Sequence, residues 1–169
     1  LKGASRWWEV TVSPILGEDG RPERLLAVSR DLTEQRRADR EAREGEARFR
    51  TLAETIPKLV ALTDARGSVT YANSAFASYA GLPPDGLLGE GWLGLTHPDD
   101  AGPIAAAWAA SLRGARPFEV EARLRRADGA SRWHLARGRP MRDAGGAVTG
   151  WVVACADIHA AVEAREVLA

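Results

Sequence analysis

Apolar and polar positions alternate along some stretches of the chain and recur at helical spacing along others. Phe118, Val120, Ala122 and Leu124 alternate with Glu119, Glu121, Arg123 and Arg125. That period of two is the signature of a half-buried strand. Ser131–Met141 and Val148–Ala156 read as two further strands, with turns at Ala127-Asp128-Gly129 and Asp143–Gly146. Upstream, Leu59–Thr63 is a short apolar run that fits a buried strand. A turn at Asp64-Ala65-Arg66-Gly67 and a second strand from Ser68 follow it. Asn73 is placed to N-cap a short helix through Ala75, Phe76 and Tyr79, closed by Gly81. Ile104, Trp108 and Leu112 lie at i, i+4 and i+8, one face of a longer helix. Asp99 or Asp100 is expected to cap this helix, and Gly114 to end it. Strands and helices are segregated rather than alternating, so the fold class is α+β with an antiparallel sheet.

A repeat organises the whole chain. Residues 5–42 align with residues 131–168 without a gap, at a constant offset of 126 (131 minus 5). Ser5-Arg6-Trp7 matches Ser131-Arg132-Trp133, and Pro14, Gly20, Asp31 and Ala38 match Pro140, Gly146, Asp157 and Ala164. The expected organisation is therefore a C-terminal hairpin of a preceding repeat at 1–33 and a linker helix at 34–56. A complete domain follows at 57–158, and an outgoing helix begins at 159–169. An isolated hairpin is marginal in water, so Trp7, Trp8, Val10 and Val12 need cover from elsewhere. Leu1 is not a natural start, and the chain reads as a piece of a longer protein.

In the linker, Ala38, Ala42, Gly45, Phe49, Leu52 and Ile56 step by 4-3-4-3-4, the spacing of a coiled-coil seam. Asp39–Arg43, Glu44–Arg48 and Glu46–Arg50 are acid-first pairs at i,i+4. Pro57 ends the helix. The pattern predicts a homodimer through this helix.

Composition removes several classes of function. The 23 basic and 23 acidic residues balance, so no net field draws the chain to nucleic acid or to an anionic membrane. Cys155 is the only cysteine, which rules out an intramolecular disulfide and a four-cysteine zinc site. No apolar run approaches the ~20 residues needed to cross a bilayer. A cytoplasmic setting is expected.

The strings Val69-Thr70-Tyr71-Ala72-Asn73-Ser74-Ala75-Phe76, His97-Pro98-Asp99-Asp100, Arg132-Trp133 and Asp157-Ile158-His159 occur at these positions. With Asp31-Leu32-Thr33-Glu34 in the partial copy, they resemble PAS domains with their C-terminal hairpin motif. The resemblance implies a five-stranded antiparallel sheet with helices on one face, enclosing a small cavity. It also implies a sensory role within a multidomain signalling protein, such as a bacterial sensor histidine kinase of a two-component system. Asp157, His159 and Asp31 then become the signal-coupling candidates, since the family's Asp-Ile-Thr motif joins the last strand to the outgoing helix. His159 stands where the motif has Thr.

The ligand-pocket candidates are Asn73, Trp92, Trp108, Trp133, Ala136 and Gly138. Ala136 and Gly138 align with Val10 and Val12, so the complete domain has free volume there if these positions face inward. A small molecule would occupy it, unless Trp92, Trp108 or Trp133 fills the space and leaves a ligand-free dimerisation spacer. A haem-binding sensor is the third reading, with His97 the nearest approach to a ligand, although capping is the commoner use of that position. The flavin adduct of some PAS relatives needs a cysteine within the stretch corresponding to Leu82–Leu95, and there is none. Gly89-Glu90-Gly91-Trp92-Leu93-Gly94 matches a dinucleotide fingerprint in letters only, lacking the strand before it and the helix opening at it. Glu119 and Glu121 fit a solvated strand face rather than acid–base chemistry. No catalytic motif is present, so the chain is expected not to be an enzyme.

Overall fold

The computed structural model describes residues 5–168. In chain order these form strands β1 (Trp8–Leu16) and β2 (Pro22–Asp31), helix α1 (Thr33–Thr55), and strands β3 (Leu59–Asp64) and β4 (Val69–Ala72). Helices α2 (Ser74–Ala80) and α3 (Pro98–Gly114) follow, then strands β5 (Phe118–Arg125), β6 (Ser131–Arg142) and β7 (Val148–Asp157), and helix α4 (His159–Val167). Two short 3-10 turns, Pro84–Leu87 and Gly91–Leu95, occupy the Gly/Pro-rich stretch before α3. The chain divides within α1 into two compact units, Leu1–Arg50 and Thr51–Ala169.

In the first unit, β1 and β2 form an antiparallel ribbon. Trp8, Val10, Val12 and Pro14 share a face with Leu25, Ala27 and Ser29, their direct partners or diagonal neighbours. Every residue of both strands is exposed, Trp8 at 53% and Leu25 at 71%. Thr33 opens α1: its N–H donates to Asp31 Oδ1 (2.9 Å), and its Oγ1 accepts from Trp7 N–H (2.9 Å). Along the helix, Arg50 pairs with Glu46 at 2.9 Å. Glu44 pairs back to Arg40 at 2.9 Å instead of forward to Arg48, whose Nε donates to the Glu44 carbonyl (3.4 Å).

The repeat is reproduced pair by pair. β1 and β2 pair Trp8 with Asp31, Val10 with Ser29, Val12 with Ala27, Pro14 with Leu25 and Ile15 with Arg24, and the register breaks between Ile15 and Leu16. β6 and β7 pair His134 with Asp157, Ala136 with Cys155, Gly138 with Val153, Pro140 with Trp151 and Met141 with Gly150, breaking between Met141 and Arg142. Each pair of the second set is the first set displaced by the sequence offset. A slip of one residue would exchange the two faces of a strand, so the shared register and bulge come from the same side-chain pattern.

In the second unit, one antiparallel sheet runs in the order β4-β3-β7-β6-β5. α2 and α3 cover its inner face, where Leu59, Ala61, Phe76, Leu124 and Cys155 belong to the main apolar cluster. Asn73 is fully buried at the centre. Its Oδ1 accepts from Val60 N–H and Phe76 N–H (both 3.1 Å), and its Nδ2 donates to the carbonyls of Ala53 (2.8 Å) and Lys58 (2.9 Å). The side chain therefore caps α2 as the sequence predicts, and it also ties down the last turn of α1 and the start of β3. Gly81 closes α2 with φ +66°, lying so near Ala127 that a Cβ there would sit 2.7 Å from Ala127 Cβ.

Helix α3 starts earlier than Asp99 or Asp100. Its N-cap is His97, whose Nδ1 accepts from Asp99 N–H at 3.3 Å, and Pro98 takes the first helical position, where no donor is lost. Asp99 and Asp100 sit in the first turn, which the positive end of the helix favours. Asp100 there holds Arg123 of β5 through Nη2 (2.8 Å), Nε (3.0 Å) and the backbone N–H (2.8 Å). Gly114 remains helical. Ala115 takes the left-handed cap at φ 47°, because its N–H and that of Arg116 close onto the Leu112 and Ser111 carbonyls.

Replacing Asn73 by Ala strands several buried backbone groups, each worth about 1–3 kcal/mol when left unpaired. Urea unfolding of Asn73→Ala should show a loss of at least ~3 kcal/mol. Asn73→Asp, nearly identical in shape, should lose as much at pH 7, because a carboxylate offers no donor to the Ala53 and Lys58 carbonyls. Wild-type stability in the Asp variant would disprove this account of the side chain.

The hydrogen bonds from Arg123 hold the Asp100 carboxyl below the usual range. A depressed folded pKa contributes stability that is present above the unfolded value near 4 and is lost as the pH falls toward the folded one. Thermal melts should therefore show Asp100→Asn less stable than wild type at pH 7, with the gap narrowing below about pH 4.

Candidate functional site

Between the inner face of the sheet and the covering helices lies a cavity of ≈ 70 Å³. It follows from a mismatch in side-chain size. The strands contribute small residues, Ala61, Ala122 and Ala136, while Phe76 of α2, Trp92 and Trp108 of α3 roof them. Trp108 stands edge-on to Phe118 (centroids 5.3 Å apart) and to Trp151 (5.2 Å), which keeps α3 from settling onto the alanines. Gly67 fits below Trp108 at φ +90°, where a Cβ would come within 2.8 Å of the indole Nε1.

The wall is apolar apart from a few groups. Thr63 Oγ1 donates to the Asp64 carbonyl (2.8 Å). Cys155 is buried, and burial pushes its thiol up to about 12, so it is a neutral packing group rather than a nucleophile. His134 is 2% exposed. Its Nδ1 lies 2.9 Å from the Arg132 carbonyl, and the ring stands edge-on to Tyr79 at 4.9 Å. Burial holds the His134 pKa below its ordinary value. Tyr79 donates its hydroxyl to the Leu124 carbonyl (2.9 Å) and is pushed up to about 12, chiefly by burial.

Of the pocket candidates, Trp92, Trp108 and Ala136 are on the cavity wall. The other three are elsewhere. Asn73 is consumed by its four backbone bonds. Trp133 has the opposite strand parity to Ala136 and lies on the outer face, with the Arg123 guanidinium 5.2 Å from its ring. Gly138 is beyond the cavity, filled in by Phe118 and Val153, each 3.4 Å from where its Cβ would stand. His97 caps α3 and is not part of the wall. Among the described residues no cluster of three or more metal-ligating side chains occurs. Gly89 bridges to Val69 and Gly91–Leu95 forms a 3-10 turn, so the glycines there build turns rather than a strand-to-helix phosphate loop. Glu119 pairs with Arg137 (2.7 Å) and Glu121 with Arg165 of α4 (3.0 Å).

His134 and Cys155 are wall residues outside the six pocket candidates. The signal was available: His134 has the strand parity of Ala136, and Cys155 is directly opposite Ala136.

Next to the cavity is the junction where β7 becomes α4. Asp157 Oδ2 accepts from Arg132 Nε at 2.7 Å, and its Oδ1 accepts from His159 N–H at 2.9 Å. Burial alone would raise the Asp157 pKa, yet these two donors hold it below the usual range. His159 Nδ1 accepts from Trp133 N–H (3.4 Å), and its Nε2 lies 3.4 Å from Glu163. In the first unit, Thr33 Oγ1 accepts from Trp7 N–H and Asp31 accepts from Thr33 N–H. His159 thus does with a ring nitrogen what Thr33 does with a hydroxyl.

A family profile described as the PAS fold matches residues 1–37 and 53–163. An uncharacterized protein of Sinorhizobium fredii, y4lL, is 28% identical over 157 residues, which is 93% of this chain and 19% of that protein. The peroxide stress-activated histidine kinase mak1 of Schizosaccharomyces pombe is 28% identical over 144 residues, 76% of this chain and 9% of the kinase. The chain thus spans a fifth or less of the length of these relatives. Among solved structures, the PAS domain of a protein from Colwellia psychrerythraea superposes with a TM-score of 0.57 at 17% identity, covering 67% of this chain and 96% of that one. With both the hairpin and the five-stranded unit matched by the family profile, this protein belongs to the PAS-fold family.

Proposed function

We propose that the five-stranded unit is a sensory module that binds a small molecule in its cavity and passes its occupancy to α4. One observation carries this reading. The cavity-wall residue His134 bonds to the carbonyl of Arg132, and the side chain of Arg132 holds Asp157 at the root of α4. A ligand that moves the His134 ring acts on the backbone of the residue whose side chain makes that ion pair. Signalling also needs two arrangements of the outgoing helix, similar in energy, for the ligand to bias.

Three further parts of the reading concern the parent protein. Residues 1–33 are the end of a preceding PAS repeat, whose missing strands and helices cover Trp8, Val10 and Val12. The full-length protein is a cytoplasmic signalling protein, a histidine kinase being the output suggested by mak1. No described helix is long and apolar enough to cross a membrane. The protein acts as a homodimer through α1, a reading favoured by the exposure of Leu52 (63%) on the helix and of Ile56 (42%) just past its end, both positions of the heptad spacing. The same exposure supports the second reading, a dimerisation spacer that needs no ligand.

Native mass spectrometry before and after mild denaturation separates the two readings. A dimer that releases a discrete small mass supports the sensor. A dimer that stays empty even after exposure to cell extract supports the spacer. Sedimentation of the double variant Leu52→Glu, Ile56→Glu should give a monomer, and a persistent dimer would remove α1 as the interface. In the full-length protein, Asp157→Ala should leave the circular dichroism spectrum unchanged and cost at most ~2 kcal/mol in stability. It should also break the response of the output to the stimulus, and an unchanged response would sink the junction as the coupling point.

A further inference from the structure

The cavity wall presents no polar surface, and no Asp, Glu, Asn, Gln, Lys, Arg or Tyr lines it. Thr63 gives its hydroxyl to the Asp64 carbonyl, and His134 directs Nδ1 at the Arg132 carbonyl. The Cys155 thiol is neutral, pushed up to about 12 by burial. Among the described residues, the buried side-chain polar atoms without a partner are Thr96 Oγ1 and Trp151 Nε1, and neither residue lines the wall. A buried water is held by about 2–4 polar partners, and this wall offers none. A hydroxyl, amide or carboxylate brought inside would give up its bonds to water and gain nothing in return. An apolar guest loses no such bonds, and it supplies the lining atoms with the dispersion contacts that a void denies them.

We propose that the cavity is the site of a short, wholly apolar molecule, a hydrocarbon of about three carbons, and that it selects against polar molecules of the same size. The inference rests on reading the cavity as a ligand site. The size follows from the ≈ 70 Å³ of room, about half of the ~150 Å³ in which a dry apolar cavity accommodates benzene. Haem and flavin are far too large for it. The room is built into the packing. Ala61, Ala122 and Ala136 keep the sheet side low, and the contacts of Trp108 with Phe118 and Trp151 hold α3 away from them. Interiors are otherwise close-packed, so the wall selects by shape and by the absence of polar groups, with no directional bond involved. Ala136 is the position that controls the volume. The first hairpin carries Val10 at the equivalent place, and a Val at 136 would add two methyl groups on the cavity side of β6.

The test uses propane and ethanol, which are alike in size and differ by one hydroxyl, dissolved with the purified chain at neutral pH. Methyl NMR follows Val153, whose side chain is on the wall. Propane should shift the Val153 methyls saturably and bind about tenfold or more tightly than ethanol. Ala136→Val should weaken propane by about tenfold or more. Equal binding of ethanol by wild type leaves the cavity a ligand site but overturns the apolar selection. Propane shifts that are unchanged in Ala136→Val place the molecule outside the cavity, and the proposal falls. If neither probe perturbs the Val153 methyls, the ligand reading itself fails and this inference fails with it. Should Ala136→Val not fold, the propane-to-ethanol ratio in wild type still decides the matter.

Discussion

The second unit depends on one side chain that brings together the end of α1, the start of β3 and the start of α2. Asn73 uses both donors and both acceptor directions of its amide, on the carbonyls of Ala53 and Lys58 and the N–H groups of Val60 and Phe76. A helix end leaves its last carbonyls unpaired and a helix start leaves its first N–H groups unpaired. Here the same amide serves both, at the end of α1 and the start of α2. Glu54 reinforces the arrangement from outside: its carboxylate accepts from Ser74 N–H (3.0 Å) and Tyr71 hydroxyl (2.6 Å), which hold its pKa below the usual range. The last turn of α1 is therefore bound to β3, β4 and α2.

The cavity depends on the same hub. Phe76 donates its backbone N–H to Asn73 and presents its ring to the cavity. α2 cannot slide inward to close the space without breaking that bond. On the other side, the contacts of Trp108 with Phe118 and Trp151 hold α3 at a distance set by aromatic edges. The alanines between are too small to fill what remains. In β1 the positions equivalent to His134, Ala136 and Gly138 hold Trp8, Val10 and Val12. The two hairpins share a backbone pattern, but the second carries smaller side chains at these positions.

How much was legible from the sequence depended on the range of the interaction. Strand alternation in β5, the Asn73 cap, the Gly81 stop and the register of both hairpins are local or repeated, and each was readable. The start of α3 was misplaced because Asp99 and Asp100 are good caps in isolation. What decides the matter is Pro98, which fixes the first helical position, and Arg123, which draws Asp100 into a cross-element pair. The cavity wall was half legible. Parity along β6 places His134 and Ala136 on one face and Trp133 on the other, so counting residues from Ala136 would have exchanged Trp133 for His134. The contacts of Trp108 with Phe118 and Trp151 join residues distant in sequence, and no local pattern announces them. The pairing of Glu44 with Arg40 over Arg48 is a choice between exposed partners of nearly equal energy.

The junctions at the ends of the two hairpins show how a substitution can keep a structural role and change its chemistry. Asp31 and Asp157 each accept the first N–H of the following helix, and the N–H of Trp7 or Trp133 donates to the side chain of that helix's first residue. With Thr33 that acceptor is a hydroxyl, which takes no charge in the physiological range. With His159 it is a ring nitrogen that can accept only while unprotonated. The ring also faces Glu163 on its own helix, and Arg132 and Asp157 are at the root. The second junction thus combines Asp157, its Arg132 partner and an imidazole, where the first combines Asp31 with a neutral hydroxyl. The bond to Trp133 is also longer, 3.4 Å against 2.9 Å. That contact at the root of α4 is accordingly the weaker of the two, and it lies beside β6, whose His134 lines the cavity.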